Sequence, residues 1–164
     1  MCRVGCWLMR KTIIEPDVGE NIEAFQQSDR VDGLVHSNGV AIERPGFTRV
    51  YLSGMVSFDE NENLVGTGDV EVQTRVILEN IQERLHALEG SMNDIVRVRV
   101  YVTDLAPEDF VTIHEVRSEF FEKEHYPAST LIEVEGLVLE EMKIEIDADA
   151  IIPDDGWETV PLEL

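Results

Sequence analysis

The sequence predicts an α+β fold, a two-layer sandwich in which two helices cover one face of a mixed β-sheet. Strand-like and amphipathic segments follow one another in the order strands, helix, strand, helix, strands. Each helical segment is long enough to cross between parallel strands, and such crossovers are nearly always right-handed. Both helices are therefore expected on the same side of the sheet, which leaves its second face without a covering layer.

Five strands are predicted from alternating apolar residues and from turn signals. Arg44-Pro45-Gly46 is a turn signal that joins the first two strands as a hairpin. In the third strand, four valines on one face alternate with polar side chains on the other. The predicted strands span residues 40–43, 50–58, 95–103, 131–134 and 143–152. The four valines are Val96, Val98, Val100 and Val102.

Two helices are predicted from apolar residues that recur at steps of three and four. The first begins after Asp69, a natural N-cap, and stops at Gly90. The second begins at Pro107 and runs to Tyr126-Pro127. The first stripe contains Val70, Thr74, Ile77, Leu78, Ile81, Leu85 and Leu88, and the second contains Phe110, Ile113, Val116 or Arg117, and Phe120.

The charge of the chain excludes several classes of function. Its 164 residues include 34 acidic and 13 basic side chains, which gives a formal net charge of −21. Binding to nucleic acid or to an anionic membrane needs clustered cations, so neither is expected. A chain with this net charge repels itself, and high salt screens that repulsion. The composition is therefore typical of proteins from a salt-rich, halophilic cytoplasm. An ordinary acidic protein is the alternative.

The predicted domain spans residues 31–153, between an N-terminal arm (1–30) and an acidic C-terminal tail (154–164). Cys2 and Cys6 could pair only with each other or between chains, and Met9 is a possible alternative start. No secretion signal or run of about 18 apolar residues is present, so a cytoplasmic location is expected.

The uncovered sheet face is predicted to carry both signs of charge. Arg97 and Arg99 project from one strand, and Glu145, Asp147 and Asp149 project from the last strand. This face could be solvated, or it could pack against copies of the same chain with its ion pairs satisfied across strands. Periodicity leaves both possibilities open.

Nine short segments, in this order and with compatible spacing, make residues 31–153 resemble the Rid family, also called YjgF-like or RidA-like. They are Tyr51-Leu52-Ser53-Gly54-Met55-Val56, Gly66-Thr67-Gly68-Asp69, Gln73-Thr74, Asn80-Ile81, Asp94-Ile95-Val96, Tyr101-Val102-Thr103-Asp104-Leu105, Phe120-Phe121, Tyr126-Pro127-Ala128-Ser129 and Lys143-Ile144-Glu145-Ile146. The resemblance implies a chorismate-mutase-like fold and a homotrimer with a central barrel of sheets. It also implies three clefts between subunits, in which reactive enamines and imines are hydrolysed without a cofactor.

The resemblance also implies roles for individual residues. Ser53 and Gly54 match the pair that lines the cleft, and Glu145 matches the acidic residue that orders water or relays a proton. His36 stands at the cleft mouth where the family usually has tyrosine, and His114 stands in place of an asparagine. The histidines could be acid–base residues or polar lining, and Glu145 could be an ordinary outward-facing strand residue. No histidine pair has metal-ligand spacing, so no metal site is predicted.

One departure from the family pattern concerns substrate binding. Ser129 stands where active members have the arginine that clamps a substrate carboxylate, and Leu131 replaces a small thiol. Serine cannot supply a charged fork of donors, and each lost charge-assisted bond costs about 1.5–3 kcal/mol. Arg117, one helical turn after His114, is the cation best placed to take over. Alternatively, Arg117 pairs with a surface carboxylate such as that of Glu119 or Glu122.

Two functions follow from this pattern. The first is a cofactor-free hydrolase or deaminase of small reactive imines or enamines, with a substrate range altered by the missing arginine. The second is a trimeric ligand-binding or regulatory protein that has kept the cleft and lost the chemistry. An enzyme needs Glu145 or His114 in the cleft beside Ser53, whereas a binding protein needs only the shape of the cleft.

Overall fold

A six-stranded mixed sheet forms the framework of the described residues, which in the computed structural model are 9–16 and 35–160. The strands lie in the spatial order β1-β2-β3-β6-β4-β5, and every neighbouring pair is antiparallel except β4 and β5. They are β1 (Arg10–Ile14), β2 (Gly39–Arg44), β3 (Phe47–Met55), β4 (Ile95–Thr103), β5 (Ala128–Val134) and β6 (Ile144–Pro153). The hairpin predicted between residues 40–43 and 50–58 is confirmed, and it is formed by β2 and β3.

Two helices connect strands that run parallel to each other, as predicted. Helix α1 (Val70–Ala87) joins β3 to β4, and helix α2 (Pro107–Ser118) joins β4 to β5. Strands β3 and β4 are both antiparallel to β6, which lies between them. The α+β class with a mixed sheet is therefore confirmed. Short 3-10 helices lie at Met92–Asp94 and Lys123–His125.

Asp69 and Gly90 lie at the two ends of α1, as predicted. Gly90, however, is required there for close packing and not for a left-handed backbone. Asp69 accepts a hydrogen bond from the backbone N–H of Val72 at 3.1 Å, as an N-cap does. At the other end Glu89, not Gly90, adopts the left-handed conformation, with φ of 63°. A Cβ on Gly90 would lie 2.6 Å from Cδ1 of Ile152, so glycine is needed there for close packing onto the sheet.

Helix α2 is shorter than its apolar pattern suggested, and the prediction that it runs to Tyr126 was wrong. It ends at Ser118, and the backbone then turns so that Phe121 enters the core with 6% of its surface exposed. Phe110 was predicted on the buried stripe, yet 47% of its surface is exposed. The buried residues of the helix are Ile113, Val116 and Arg117, so an arginine occupies a core-facing position.

A β-bulge changes the predicted alternation of β4. The register against β6 shifts between Ile95 and Arg97, so Ile95 is buried and Val96 is 37% exposed. Because a bulge adds one residue to one strand, it reverses the facing of side chains on one side of it. The placement of Val96 with Val98, Val100 and Val102 was therefore wrong for Val96 alone.

Both ends of the chain contribute more structure than their sequences suggested. Strand β1 lies within the expected arm and pairs along β2 at the edge of the sheet. Within the expected tail, the side chain of Asp154 accepts a hydrogen bond from the N–H of Gly46 at 3.0 Å. The indole N–H of Trp157 donates to Asp94 at 2.7 Å. The predictions about Cys2 and Cys6 lie outside the described residues.

The sheet face opposite the helices carries charges of both signs, as predicted, and three of them form ion pairs. Arg99 donates to Asp147 at 2.6 Å and to Asp149 at 2.9 Å, which links β4 to β6 across the ladder. The hydroxyl of Tyr101 lies 3.5 Å from Asp147. Arg99, Asp147 and Asp149 are therefore paired within a single chain. Within residues 9–16 and 35–160, no helix is both long and apolar enough to cross a membrane.

Candidate functional site

Ser53 and Gly54 lie where the pairing of β3 with β6 is interrupted. The register shifts between Leu52 and Met55, and a bulge of this kind re-aims the side chains next to it. The hydroxyl of Ser53 donates to the backbone oxygen of Ser37 at 2.7 Å, which fixes its direction. A Cβ on Gly54 would overlap the carboxylate of Glu145. Glycine at this position is therefore what allows that carboxylate to lie against the backbone of β3.

Glu145 is a half-buried carboxyl group on β6. Burial, and secondarily the charge of Asp147, raise the pKa of Glu145 above its ordinary value. Its carboxylate receives no hydrogen bond from any residue in the described ranges, so nothing there stabilises the charged form. The protonated form of Glu145 therefore persists to a higher pH than it does for an exposed glutamate.

A cavity of about 620 Å³ brings together four of the residues predicted from the sequence. These are His36, Ser53, Gly54 and Glu145, and Asn80 from α1 also lines the cavity. Glu145 thus lies in the same cavity as Ser53, which is the arrangement that the hypothesis of an imine or enamine hydrolase requires.

Sequence reasoning missed one charged pair at the edge of this cavity. Arg84 contacts Glu15 at 2.7 Å and donates to the backbone oxygen of Asn80 at 2.9 Å. Glu15 follows β1, so this pair ties the edge of the sheet to α1. The spacing of four residues between Asn80 and Arg84 places both on one helix face and was the available signal.

His114, Arg117 and Ser129 lie around a second, smaller cavity. It has a volume of about 250 Å³ and is also lined by Ser118, Phe121, Tyr126 and Pro127. In the sheet, Tyr101 pairs with Glu145 on one side and with Ile132 on the other. Ser129 is thus two strands away from Glu145 and three residues along, a separation of about 14 Å between Cα atoms. A single chain thus divides the predicted site between two cavities.

Arg117 is buried without an anionic partner among residues 9–16 and 35–160. Only 8% of its surface is exposed, and its Nη1 atom has no hydrogen-bond partner. Its guanidinium lies 5.8 Å from the centre of the Phe121 ring and forms no ion pair within the described ranges. Glu119 is instead bound by Arg75 through two bonds of 2.6 and 2.9 Å. The alternative that Arg117 pairs with Glu119 or Glu122 was therefore wrong.

The environment of Arg117 is reflected in its pKa and in that of His114. Burial lowers the pKa of Arg117 from its ordinary value. The pKa of His114 is also lowered, first by partial burial and then by the charge of Arg117. The imidazole packs on Phe110 with ring centres 4.6 Å apart. The charged form of His114 is thus disfavoured relative to that of an exposed histidine, and the neutral imidazole offers one donor and one acceptor.

Ser129 and Leu131, the other two residues predicted to bind substrate near Arg117, differ in their surroundings. Ser129 is exposed on β5 and lines the smaller cavity. Leu131, two residues further along β5, packs against the hydrophobic core. No three His, Cys, Asp or Glu side chains in the described ranges are grouped as a metal site requires.

Residues 37–152 match the model of the family described as endoribonuclease L-PSP. The match covers well over half of the chain. The chain belongs to this family, which is the Rid or YjgF-like family. A RutC family protein of Pyrococcus horikoshii is 37% identical over 101 residues, which cover 62% of this chain and 77% of that protein.

Other Rid relatives agree in sequence and in fold. The 3-aminoacrylate deaminase RutC of Acinetobacter baylyi is 38% identical over 97 residues, covering 59% of this chain and 74% of that enzyme. The crystal structure of E. coli TdcF with bound serine is 32% identical, with a TM-score of 0.59 over 74% of this chain and 90% of TdcF. A Rid protein of Yersinia pestis is 28% identical, with a TM-score of 0.61 over 85% of this chain and 97% of that protein.

Proposed function

We propose that this Rid protein is a cofactor-free deaminase that hydrolyses small reactive imines and enamines. The proposal places the reaction in clefts between the subunits of a homotrimer, in a salt-rich cytoplasm. The observation that carries it is the half-buried carboxyl of Glu145, held against Gly54 beside Ser53 in the larger cavity. The deaminase activity named for the Acinetobacter baylyi relative supports the same reaction class.

The chemistry requires little more than a positioned proton carrier and water. An enamine takes up a proton at carbon and loses one from nitrogen to become an imine, and water then adds to the electrophilic imine carbon to give a carbinolamine. Proton transfer to nitrogen releases ammonia and leaves a carbonyl product. A carboxyl whose pKa is raised by burial keeps its proton to a higher pH than an exposed one, which suits it to donate the first of these protons.

A shared cleft accounts for the division of the site within one protomer. Glu145 and Ser129 are separated by about 14 Å along the sheet, which is longer than a substrate of a few heavy atoms. In a closed trimer, the larger cavity of one subunit can face the smaller cavity of its neighbour. Glu145 would then lie across one cleft from His114, Arg117 and Ser129 of another chain, with the substrate between them.

The direct test is the decay of an imine or enamine produced in the assay. A dehydratase would generate 2-aminoacrylate or 2-iminobutanoate in molar KCl, and loss of the intermediate would be followed with and without the purified protein. We expect the protein to accelerate the decay of at least one of them. A folded protein that accelerates neither would contradict the proposal and favour a non-catalytic ligand-binding protein.

A further inference from the structure

Arg117 is a cation for which the described protomer provides no anion. Its side chain points inward from α2 on the same stripe as Ile113 and Val116, and 8% of its surface is exposed. A charge that is removed from water without a partner destabilises the folded state, and proteins rarely retain one without a use. None of the Asp and Glu side chains in residues 9–16 and 35–160 lines the cavity beside Arg117.

The rest of the cavity suits one end of a small, flat anion. Ser118 and Ser129 contribute hydroxyl groups, and Phe121 and Tyr126 contribute aromatic surface. The volume of about 250 Å³ has room for a group of a few heavy atoms. A guanidinium offers two parallel N–H donors, which match the two oxygens of a carboxylate.

We propose that Arg117 binds the carboxylate group of a small ligand in this cavity. Arg117 reaches the cavity from helix α2, whereas Ser129 lines it from strand β5. The cation therefore lies on helix α2, whereas the resemblance places the carboxylate-binding arginine of active members at the position of Ser129 on β5. The further step, that the ligand is a carboxylate-bearing enamine or imine, rests on the proposed function.

A binding measurement tests the role of Arg117 without requiring catalysis. Melting temperatures would be recorded in propionate and in propionamide, its neutral isostere, at constant ionic strength. Propionate at 100 times its Kd is expected to raise the melting temperature by roughly 5–10 °C, and propionamide is not. Arg117→Met should abolish the propionate effect, and Arg117→Lys should keep part of it.

The matched control is Arg75→Met. Arg75 also contacts α2, but its guanidinium is already bound to Glu119, so this variant should keep the full propionate effect. Without propionate, Arg117→Met is expected to melt at the same temperature as the wild type or higher, because it removes an unpaired buried charge.

Two results would overturn the inference. The first is a wild-type protein that propionate does not stabilise more than propionamide does. The second is an Arg117→Met variant that melts lower and whose oligomer loosens, since Arg117 would then pair with a carboxylate of a neighbouring subunit. If propionate binds through Arg117 but no imine is hydrolysed, the inference stands and the proposed function fails.

Discussion

Replacing Glu145 with glutamine is expected to slow imine hydrolysis by about 10²–10⁴-fold, the usual contribution of a positioned acid or base. Glutamine keeps the size of the side chain and its place against Gly54, but it cannot exchange a proton at neutral pH. The control is Glu140→Gln, which changes an exposed carboxylate outside the cavity and should leave the rate unchanged. A Glu145→Gln variant with the full wild-type rate would exclude proton transfer by this residue.

The pH profile separates a chemical role of Glu145 from a structural one. Because burial and Asp147 raise its pKa, the proton donor persists above the range of an exposed glutamate and is lost as the pH rises through that pKa. The wild-type rate should therefore fall over this interval if proton donation limits the reaction. The residual rate of Glu145→Gln should not show that fall. Identical profiles would assign the effect of the substitution to packing.

Replacing Gln73 with methionine is expected to destabilise the fold by about 3 kcal/mol, because buried backbone groups would lose their partners. Gln73 is fully buried on α1, and its amide donates to the backbone oxygens of Gly66 at 2.8 Å and Glu141 at 2.9 Å. Its side-chain oxygen accepts from the N–H of Lys143 at 2.7 Å. One side chain thus fixes the loop before α1 and the entry to β6.

Thermal or urea unfolding would measure this loss. For a chain of this length, about 3 kcal/mol corresponds to a fall of roughly 6–12 °C in melting temperature. Gln82→Met is the matched control, since Gln82 lies on the same helix and its side chain makes no hydrogen bond in the described ranges. A Gln73→Met variant as stable as the Gln82→Met variant would show that these backbone groups find other partners.

The parts of the fold that depend on local pattern were predictable from the sequence. The stripe and cap of α1 determine where it begins, and the crossovers determine the direction of the strands it connects. Strand β1 was missed because Arg10 and Lys11 open it and only Ile13 and Ile14 are apolar. A short edge strand of this kind acquires its structure from pairing with β2 and not from its own periodicity.

The site was predictable only as far as the family resemblance reached. It placed Ser53, Gly54 and Glu145 together, although they lie on strands far apart in the chain. The isolation of Arg117 could not be predicted from its neighbours in the sequence. Glu119 lies just after the end of α2, close to Arg117 in the sequence, but it is bound by Arg75 of α1, a contact between residues 44 positions apart.

The claim that the active site is shared between subunits is tested most directly by mixing the Glu145→Gln and Arg117→Met variants, each of which is expected to lose activity on a carboxylate-bearing imine. Chains carrying Glu145→Gln and chains carrying Arg117→Met would be co-expressed with different tags, and trimers containing both would be purified. In each mixed trimer, only one of the three clefts combines an unchanged Glu145 from one chain with an unchanged Arg117 from its neighbour. About a third of the wild-type activity is therefore expected. Mixed trimers no more active than either variant alone would contradict the shared cleft.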